Sequence, residues 1–324
     1  MKRGLVIGKF MPVHQGHIAL INFAASQCDE LIVSMSFTDN DVIDGDLRFS
    51  WIKEIFKDQQ KIHLYKINDD FDDDTLALDQ RTKRWAQRMR EIYPSINLIV
   101  SSEPYGESFA KNLGAEHFMF DGERKNFPVS ASLIREKPFA HWDFIPPVVR
   151  PHFVKKICFY GPESTGKSTM AKRMAELYQT EFVPEVAREI ITSNDFTVDD
   201  IIKIGHAQTK RIVEKTKTAN RLLFCDTDLI TTEIYSQIYL NEVPPVLYEL
   251  EKQIQYDLYF LFDIDVKWVE DGLRDLGDKR ELMFEKFKYE LDKRNIDYIF
   301  VSGNYEQRYK YVVAKLNDLI KRFS

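Results

Sequence analysis

In each of two stretches of the chain, short apolar segments alternate with amphipathic ones. Each stretch is therefore predicted to form a sheet flanked by helices. In the first stretch, short apolar runs typical of buried strands alternate with segments whose apolar residues recur at a helical period. The predicted strands lie at residues 4–7, 30–35, 96–100 and 117–120, and the predicted helices at residues 17–28, 47–58 and 80–92. A strand, a helix and a second strand in this order form a βαβ unit, which predicts an α/β fold with a parallel sheet.

The second stretch repeats this alternation without an internal sequence repeat. Its predicted strands lie at residues 156–160, 181–183, 221–226, 259–262 and 298–301, and its predicted helices at residues 167–179 and 305–322. Between the stretches, residues 144–151 carry three prolines, which disfavour a helix or a central strand and predict an extended connector. We therefore predict two α/β domains, at residues 1–150 and 151–324.

Length and charge favour a two-domain protein that binds small anionic molecules. The 324 residues exceed what one compact core usually needs. The 45 Lys and Arg residues against 51 Asp and Glu residues give a net charge of -6, which argues against a general nucleic-acid binder. A local basic cleft for polyphosphate remains compatible with this charge.

Cysteine usage and hydropathy predict a soluble, cytoplasmic protein. The chain has 3 cysteines, and Cys158 and Cys225 lie within apolar runs, which favours buried reduced thiols over disulfides or a metal cluster. No window approaches the roughly 18 apolar residues of a membrane span, and Met1 leads directly into the first predicted strand without a basic and apolar leader. We expect no membrane insertion.

Residues 69–74 are all acidic except Phe71. Carboxylates that are adjacent in sequence seldom converge on one ion without the turn glycines of a calcium-binding loop. The segment is therefore predicted to be a solvated loop rather than a cation site.

The first candidate site follows the first predicted strand, where residues 8–17 read G-K-F-M-P-V-H-Q-G-H. Gly8 allows a close turn out of the strand, and His14 and His17 flank Gly16 where a helix opens. Backbone N–H groups at a helix N-terminus and imidazole donors can bind the charge that grows on an attacked α-phosphate. The pattern predicts a nucleotide site, with two incidental histidines as the alternative.

Residues 129–135 read V-S-A-S-L-I-R and predict a second part of the same site. The serines can cap a helix, and Arg135 lies one turn in, where it can hold a departing pyrophosphate. Together the two segments resemble the nucleotidylyltransferase superfamily, whose H-x-G-H and I-S-x-[ST]-x-x-R motifs hold the triphosphate of ATP, with Val129 in place of the usual Ile. The resemblance implies catalytic roles for His14, His17 and Arg135. The implied ATP-binding residues are Gly8, Lys9, Phe10, His14, His17, Ser130, Ser132 and Arg135.

Within that superfamily, residues 102–106, 121–124 and 128–135 resemble the adenylyltransferase half of the NadR-type bifunctional enzymes of NAD synthesis. The acceptor in that group is nicotinamide mononucleotide (NMN). The resemblance places the nicotinamide ring against Trp85 and makes Arg48 a binding residue. Simple core packing is the alternative for Trp85.

The second candidate site lies at residues 161–168, G-P-E-S-T-G-K-S, between a predicted strand and a predicted helix. In this phosphate-loop pattern the loop amides cradle phosphate, Lys167 reaches the β and γ phosphates, and Ser168 faces Mg2+. Asp226 ends a predicted strand and is the candidate acid for the metal's outer shell, with a strand-end turn as the alternative. The predicted ATP-binding residues are Gly161, Glu163, Ser164, Thr165, Gly166, Lys167, Ser168 and Thr169.

The acceptor of the second site is predicted from Glu185 and Arg188, which can share one helix face at the mouth of the site. The acid could take a proton from a sugar hydroxyl while the arginine steers it, and a surface salt bridge is the alternative. Residues 268–274, followed by Arg280, combine an aromatic side chain, acids and arginines that could close as a lid over transferring phosphate.

Residues 226–228 and 268–274 resemble the ribosylnicotinamide kinase half of the same NadR-type enzymes. The resemblance implies that Arg274 contacts ATP. The implied ribosylnicotinamide-binding residues are Glu185, Arg188, Asp228 and Trp268.

The whole resemblance implies two consecutive reactions. The second domain would phosphorylate ribosylnicotinamide to NMN with ATP, and the first would join NMN and ATP into NAD with release of pyrophosphate, with Mg2+ needed in both. Some members carry an N-terminal DNA-binding module, but here the first strand begins at residue 4, so repressor function is not expected. The same chemistry on another vitamin nucleotide and a nucleotide-sensing module for a transporter or regulator are the alternatives, and assembly into a homo-oligomer stays open.

Overall fold

A computed structural model describes residues 1–193, 195–269 and 276–324. The chain forms two compact units, one of Met1–Arg150 with Phe323–Ser324 and the other of Pro151–Arg322. All three cysteines are buried and free. In the described part of the chain, no helix is both long enough and apolar enough to cross a lipid bilayer.

The first unit is built around one parallel sheet with the strand order β3-β2-β1-β4-β5. Its strands are β1 (Arg3–Gly8), β2 (Glu30–Phe37), β3 (Ile62–Asn68), β4 (Leu98–Ser101) and β5 (Glu116–Met119). Its helices are α1 (Gln15–Ser26), α2 (Gly45–Phe56), α3 (Leu78–Ile92), α4 (Tyr105–Leu113) and α5 (Ala131–Glu136). The strand order reverses between β1 and β4, which opens a crevice beyond their carboxyl ends, where open α/β sheets bind ligands.

Strand β3 is missing from the elements that the apolar pattern predicts. It reads I-H-L-Y-K-I-N, so polar residues interrupt its apolar ones, and it is an edge strand that pairs only with β2. Central strands in a parallel sheet are covered on both faces and read as continuous apolar runs, as β4 does with Leu98, Ile99 and Val100. The pattern therefore predicts the central strands better than this edge.

The second unit also has one parallel sheet, with the strand order β10-β9-β6-β8-β7. Its strands are β6 (Lys155–Tyr160), β7 (Glu181–Val183), β8 (Leu222–Asp226), β9 (Leu258–Phe262) and β10 (Tyr298–Val301). Its helices are α6 (Lys167–Leu177), α7 (Ala187–Ile190), α8 (Val198–Thr216), α9 (Leu229–Leu240), α10 (Pro245–Glu251), α11 (Arg280–Lys293) and α12 (Tyr305–Phe323). Both predictions of a parallel sheet flanked by helices are confirmed.

The proline-rich segment 144–151 is not the extended connector that its composition predicts. Short 3-10 helices occupy Trp142–Phe144 and Arg150–His152, and the backbone N–H groups of Val149 and Arg150 both donate to the carbonyl of Pro146. Proline fixes φ near −65°, which suits a tight helical turn as well as an extended chain. The prolines exclude a long helix but do not select between these two conformations.

Candidate active sites

A cavity of about 380 Å3 opens beyond the carboxyl end of β1 in the first unit. The loop after β1, the start of α1 and the segment that leads into α5 all line it. Every residue predicted to bind ATP in this half lies in its wall: Gly8, Lys9, Phe10, His14, His17, Ser130, Ser132 and Arg135. The structure therefore brings the two motifs together around one space, and their contact with ATP stays a prediction.

His14 and His17 form a stacked pair at the start of α1. Their ring centroids lie 3.7 Å apart at an angle of 27°. The backbone N–H of His14 donates to Nδ1 of His17 at 3.3 Å, so the neutral His17 ring carries its proton on Nε2. A Cβ atom at Gly16 would lie 3.1 Å from the His14 ring, which explains the glycine between the two histidines.

Both histidines are held in the neutral form. Burial, and then the charge of Arg124, lower the pKa of His14 to about 4. Burial, His14 and Arg124 together hold the pKa of His17 well below its usual value. Before nucleotide binds, the pair therefore supplies neutral hydrogen-bond donors near neutral pH rather than imidazolium cations.

Arg135 is fixed against the loop that follows β1. It donates through Nη1 to the carbonyl of Met11 and through Nη2 to Oγ of Ser132 at 3.1 Å. Oγ of Ser130 accepts from the backbone N–H of Leu133 at 3.2 Å and so caps α5. These bonds hold a guanidinium in the wall of the cavity, where it can pair with phosphate oxygens.

A second cavity of about 240 Å3 adjoins the first and shares part of its wall, including Gly8 and Lys9. Trp85 lines this second cavity, although only 9% of its surface is exposed. Its Nε1 donates to Asp72 at 2.9 Å, and its ring meets Tyr105 edge-on at 5.4 Å between centroids. Trp85 thus belongs to the core and faces a cavity at the same time.

The acidic segment 69–74 is a loop in which Asp70 and Asp74 are exposed, as the sequence predicts, whereas Asp69 and Asp72 are partly buried. The Asp69 side chain is 6% exposed and pairs with Lys9 at 3.4 Å. Asp72 accepts two hydrogen bonds from Arg81, at 3.0 and 2.7 Å. Cationic partners offset the cost of partly burying these carboxylates, and both line the second cavity. Among the described residues, no cluster of three or more His, Cys, Asp or Glu side chains is placed to hold a metal ion.

Arg48 is fully buried on α2 and lies outside the walls of both cavities. Its guanidinium donates to the carbonyls of Lys9 and of Ile43, the latter at 2.9 Å, and pairs with Asp41. In this structure its bond to the carbonyl of Lys9 holds the loop after β1 close to α2. Direct contact with a mononucleotide stays a prediction for this residue.

The second unit holds its phosphate loop in a cavity of about 80 Å3 between β6 and α6. Gly161 and Gly166 have φ values of 133° and 87°, which glycine adopts without strain. A Cβ atom at Gly161 would lie 2.9 Å from the carbonyl oxygen of Phe262. All eight residues predicted from the loop motif line this cavity: Gly161, Glu163, Ser164, Thr165, Gly166, Lys167, Ser168 and Thr169.

Lys167 and Asp226 lie together beneath the loop. Nζ of Lys167 donates to the carbonyl of Pro162 at 2.6 Å. Burial lowers the pKa of Lys167, although the negative charge of Asp226 raises it. Asp226 is 2% exposed, and its Oδ1 has no hydrogen-bond partner among the described residues. Burial, and then the charge of nearby Glu185, raise the pKa of Asp226 to about 6, although Lys167 and the hydroxyl of Ser168 lower it. An unpartnered buried carboxylate oxygen beside a serine hydroxyl fits a divalent cation held together with phosphates.

A neighbouring cavity of about 80 Å3, called the acceptor cavity after the acceptor residues predicted in its wall, shares lining residues with the phosphate-loop cavity. Glu185 and Arg188 line both this acceptor cavity and the phosphate-loop cavity. Oε2 of Glu185 accepts from Nε of Arg188 at 3.1 Å. A carboxylate therefore lies at the junction of the two cavities, and its contact with an acceptor hydroxyl stays a prediction.

Two predicted acceptor residues lie outside both cavities. Asp228 is 2% exposed, accepts from the backbone N–H of Thr231 at 3.0 Å and from the hydroxyl of Tyr259 at 2.9 Å, and so caps α9. Its oxygens are used within the protein, and the structure does not support the predicted contact with the acceptor. Trp268 packs near Arg280, whose Cζ is 5.5 Å from the ring centroid. Residues 270–274 of the predicted lid, which include Arg274, lie outside the described residues.

Comparison with known proteins identifies the family. A cytidylyltransferase-like family model matches residues 5–137, and an AAA domain model matches residues 156–308. The trifunctional NAD biosynthesis/regulator protein NadR of Escherichia coli is 31% identical over 98% of this chain and 83% of the relative, and the Salmonella typhimurium protein of the same name is equally similar. The chain belongs to the NadR family. A crystal structure of a NadR protein in complex with NR has the same fold, with a TM-score of 0.82, 23% identity and coverage of 98% of this chain and 95% of that one.

Membership of the NadR family identifies the fold of each unit. The first unit is a Rossmann-like nucleotidylyltransferase domain, and the second is a P-loop kinase domain. Both sites lie at carboxyl ends of parallel strands, as the topology requires.

One residue of the first site is missing from the predicted set of this NadR-family chain. Arg124 lines the first cavity, donates to Glu103 at 2.6 Å and lowers the pKa of both histidines. Its backbone has a φ of 52°, within a turn that reads D-G-E-R. Apolar periodicity does not identify an arginine in a turn, and the resemblance of residues 121–124 to the adenylyltransferase half is the sequence signal that points to it.

We expect His14 to stay neutral at pH 6. Its folded pKa of about 4 lies below the ordinary value of 6.5, so between these values the unfolded chain binds more protons. Its contribution to the free energy of unfolding is therefore complete above pH 6.5 and is lost as pH falls toward 4. NMR titration of the imidazole signals measures this pKa, and a midpoint near 6.5 would contradict the buried neutral pair.

Proposed function

We propose that this chain makes NAD in two steps. The second unit transfers a phosphoryl group from ATP to the 5′-hydroxyl of ribosylnicotinamide, and the first unit joins the resulting NMN to the adenylyl group of a second ATP. The observation that carries the proposal is the pairing, in each unit, of a phosphate-binding cavity with an adjoining cavity for an acceptor. The relatives named for NAD biosynthesis support NAD as the final product.

In the first unit, a phosphate oxygen of NMN attacks the α-phosphorus of ATP. The bond from that phosphorus to the bridging oxygen breaks, and pyrophosphate leaves with the electron pair. His14 and His17 stabilise the charge that develops on the α-phosphate oxygens by hydrogen bonding, without forming a covalent bond. Arg135 and Lys9 hold the departing phosphates, since both line the same cavity.

The adjoining cavity suits the cationic ring of NMN. Trp85 offers an aromatic face, while Asp69 and Asp72 supply negative charge in the same wall. A pyridinium ring over an aromatic face gains roughly 1 to 2 kcal/mol when it is desolvated.

Trp85→Leu is therefore expected to raise KM for NMN by about tenfold and to change KM for ATP little. Steady-state kinetics with each substrate varied in turn measures both values. Phe109→Leu is the matched core variant, because Phe109 packs against Trp85 and lies outside both cavity walls. If Trp85→Leu and Phe109→Leu change KM for NMN by the same factor, Trp85 serves core packing alone.

In the second unit, the 5′-hydroxyl oxygen attacks the γ-phosphorus and ADP leaves. Glu185 accepts the hydroxyl proton, and Arg188 orients that carboxylate through its 3.1 Å contact. Lys167 and the loop amides stabilise the transferring group. Both residues at the junction of the cavities thus act at the point of transfer.

We propose that Mg2+ serves the kinase reaction, held by Ser168 and by Asp226 in its outer shell. Bound Mg2+ would neutralise charge on the β and γ phosphates. The buried Oδ1 of Asp226, which has no hydrogen-bond partner in the described part of the chain, supports this assignment. A divalent cation is also proposed for adenylyl transfer.

The proposed location of the protein is the reducing cytoplasm.

A panel of acceptors tests the proposed function. Purified protein with ATP and Mg2+ is expected to phosphorylate ribosylnicotinamide in preference to other vitamin nucleosides, and to adenylylate NMN in preference to other mononucleotides. Preference for a different nucleotide would favour the alternative acceptor. Tight binding with kcat far below about 1 per second would favour a sensing module.

A further inference from the structure

One buried side-chain amide in the second unit has a donor for which the described residues provide no hydrogen-bond acceptor. Gln208 lies on α8, is 2% exposed and lines the acceptor cavity. Its Oε1 accepts from the backbone N–H of Val186 at 3.0 Å, whereas its Nε2 has no hydrogen-bond partner among the described residues. Buried donors are nearly always paired in native proteins, so this one requires an explanation.

The orientation of the Gln208 amide is fixed by chemistry. A backbone N–H can only donate, so the amide atom that faces Val186 must be the oxygen. Val186 is itself buried and directly follows Glu185. The NH2 group is consequently held as a donor by the same segment that carries the proposed base.

Gln208 lies in the part of the acceptor cavity that the phosphate-loop cavity does not share. This part is lined mainly by apolar side chains such as Ile201, Ile204 and Phe196. If the 5′-hydroxyl lies at Glu185, which both cavities share, the base of the nucleoside extends into this apolar part. Gln208 is then a polar donor on an otherwise largely apolar wall beside the base.

We propose that Gln208 selects the acceptor base by donating from Nε2 to the carbonyl oxygen of a ring carboxamide. This inference rests on the proposed kinase function of the second unit and adds a residue that reads the base. A site built to hydrogen-bond a substrate group rejects analogues that lack it, because the buried protein donor is then left unpaired. Phe196 and Tyr239, in edge contact at 5.3 Å between centroids, place aromatic surface in the same wall for a cationic ring.

The test compares phosphorylation of ribosylnicotinamide with that of pyridinium riboside, which lacks the carboxamide, at pH 8. Wild-type protein is expected to prefer ribosylnicotinamide by about 10-fold to 100-fold in kcat/KM. Gln208→Met removes the amide, and Gln208→Glu keeps an acceptor for Val186 but, when ionised, offers no donor. Both variants are expected to reduce the preference to near unity, chiefly through slower reaction of ribosylnicotinamide.

Ile204→Val is the matched control, because it trims the same wall one helical turn away without removing a donor. It is expected to affect both nucleosides by a similar factor and to keep the wild-type preference. The proposal is overturned if wild-type protein does not distinguish the two nucleosides, a result that needs no variant and is insensitive to folding defects. It is also overturned if both Gln208 variants, shown to be folded by thermal unfolding, keep the preference.

The proposed kinase function and the inference about Gln208 fail in different ways. Wild-type protein that phosphorylates neither nucleoside would contradict the kinase function and remove the basis of the inference. Wild-type protein that phosphorylates both equally well would keep the kinase function and overturn only the role of Gln208.

Discussion

His17→Ala is expected to lower kcat for the conversion of NMN to NAD by roughly 100-fold to 1000-fold, the usual cost of losing one charge-stabilising donor at a transition state. His17 lines the first cavity, and the N–H of His14 fixes its Nδ1 as an acceptor. Alanine removes the remaining donor at Nε2. Phosphorylation of ribosylnicotinamide is expected to stay near wild type, since the second unit holds its own phosphate loop.

His63→Ala is the matched histidine control for this experiment. His63 lies on the edge strand β3, its side chain is 43% exposed, and it is absent from the walls of both cavities in the first unit. We expect it to leave both reactions unchanged. Equal loss of both reactions in His17→Ala would mean that His17 is structural, and an unchanged rate of NAD formation would remove it from the catalytic set.

Glu185→Gln is expected to lower phosphoryl transfer to ribosylnicotinamide by roughly 100-fold or more while binding of ATP survives. The change keeps the size of the side chain and removes its basicity. Glu185 is placed for this role because it lines both the phosphate-loop cavity and the acceptor cavity. A single-turnover assay with labelled ATP measures the transfer step directly.

Two companion variants make this assay specific. Glu189→Gln changes a carboxylate on the neighbouring helix α7, which pairs with Arg211 and lies outside both cavities, and it is expected to leave transfer unchanged. Lys167→Met removes the cation that reaches the β and γ phosphates, so it is expected to abolish transfer to any acceptor. Near-normal NMN production by Glu185→Gln would contradict its role as the base and leave buried Asp226 as the next candidate.

The sequence predicts which residues come together in the two motif cavities because each motif fixes its own geometry over a short stretch, and the binding of phosphate there stays a prediction. A glycine loop with a lysine, or two histidines around a glycine, fixes its geometry within ten residues, and both sets of motif residues line single cavities. The central strands are predicted for a similar reason, since strands covered on both faces form short continuous apolar runs.

Acceptor recognition is harder to predict, because it depends on contacts between residues distant in sequence. Asp228 follows a strand as a ligating acid would, yet its oxygens cap a helix and accept from Tyr259. In the sequence, Gln208 is an ordinary polar residue. Only the folded structure shows that it lies in a cavity wall, with its Oε1 hydrogen-bonded to the backbone N–H of Val186. Trp85 is identified by resemblance, and the structure adds its position beside Asp72.

One measurement tests the central claim that this chain carries two separate, consecutive ATP-dependent reactions. Wild-type protein, His17→Ala and Lys167→Met are each incubated with ATP, Mg2+ and ribosylnicotinamide, or with NMN, and the products are separated by chromatography. We predict that wild-type protein converts ribosylnicotinamide through NMN to NAD, that His17→Ala stops at NMN, and that Lys167→Met makes NAD only from added NMN. Loss of both reactions in either folded variant, or absence of both products with wild-type protein, would contradict the account.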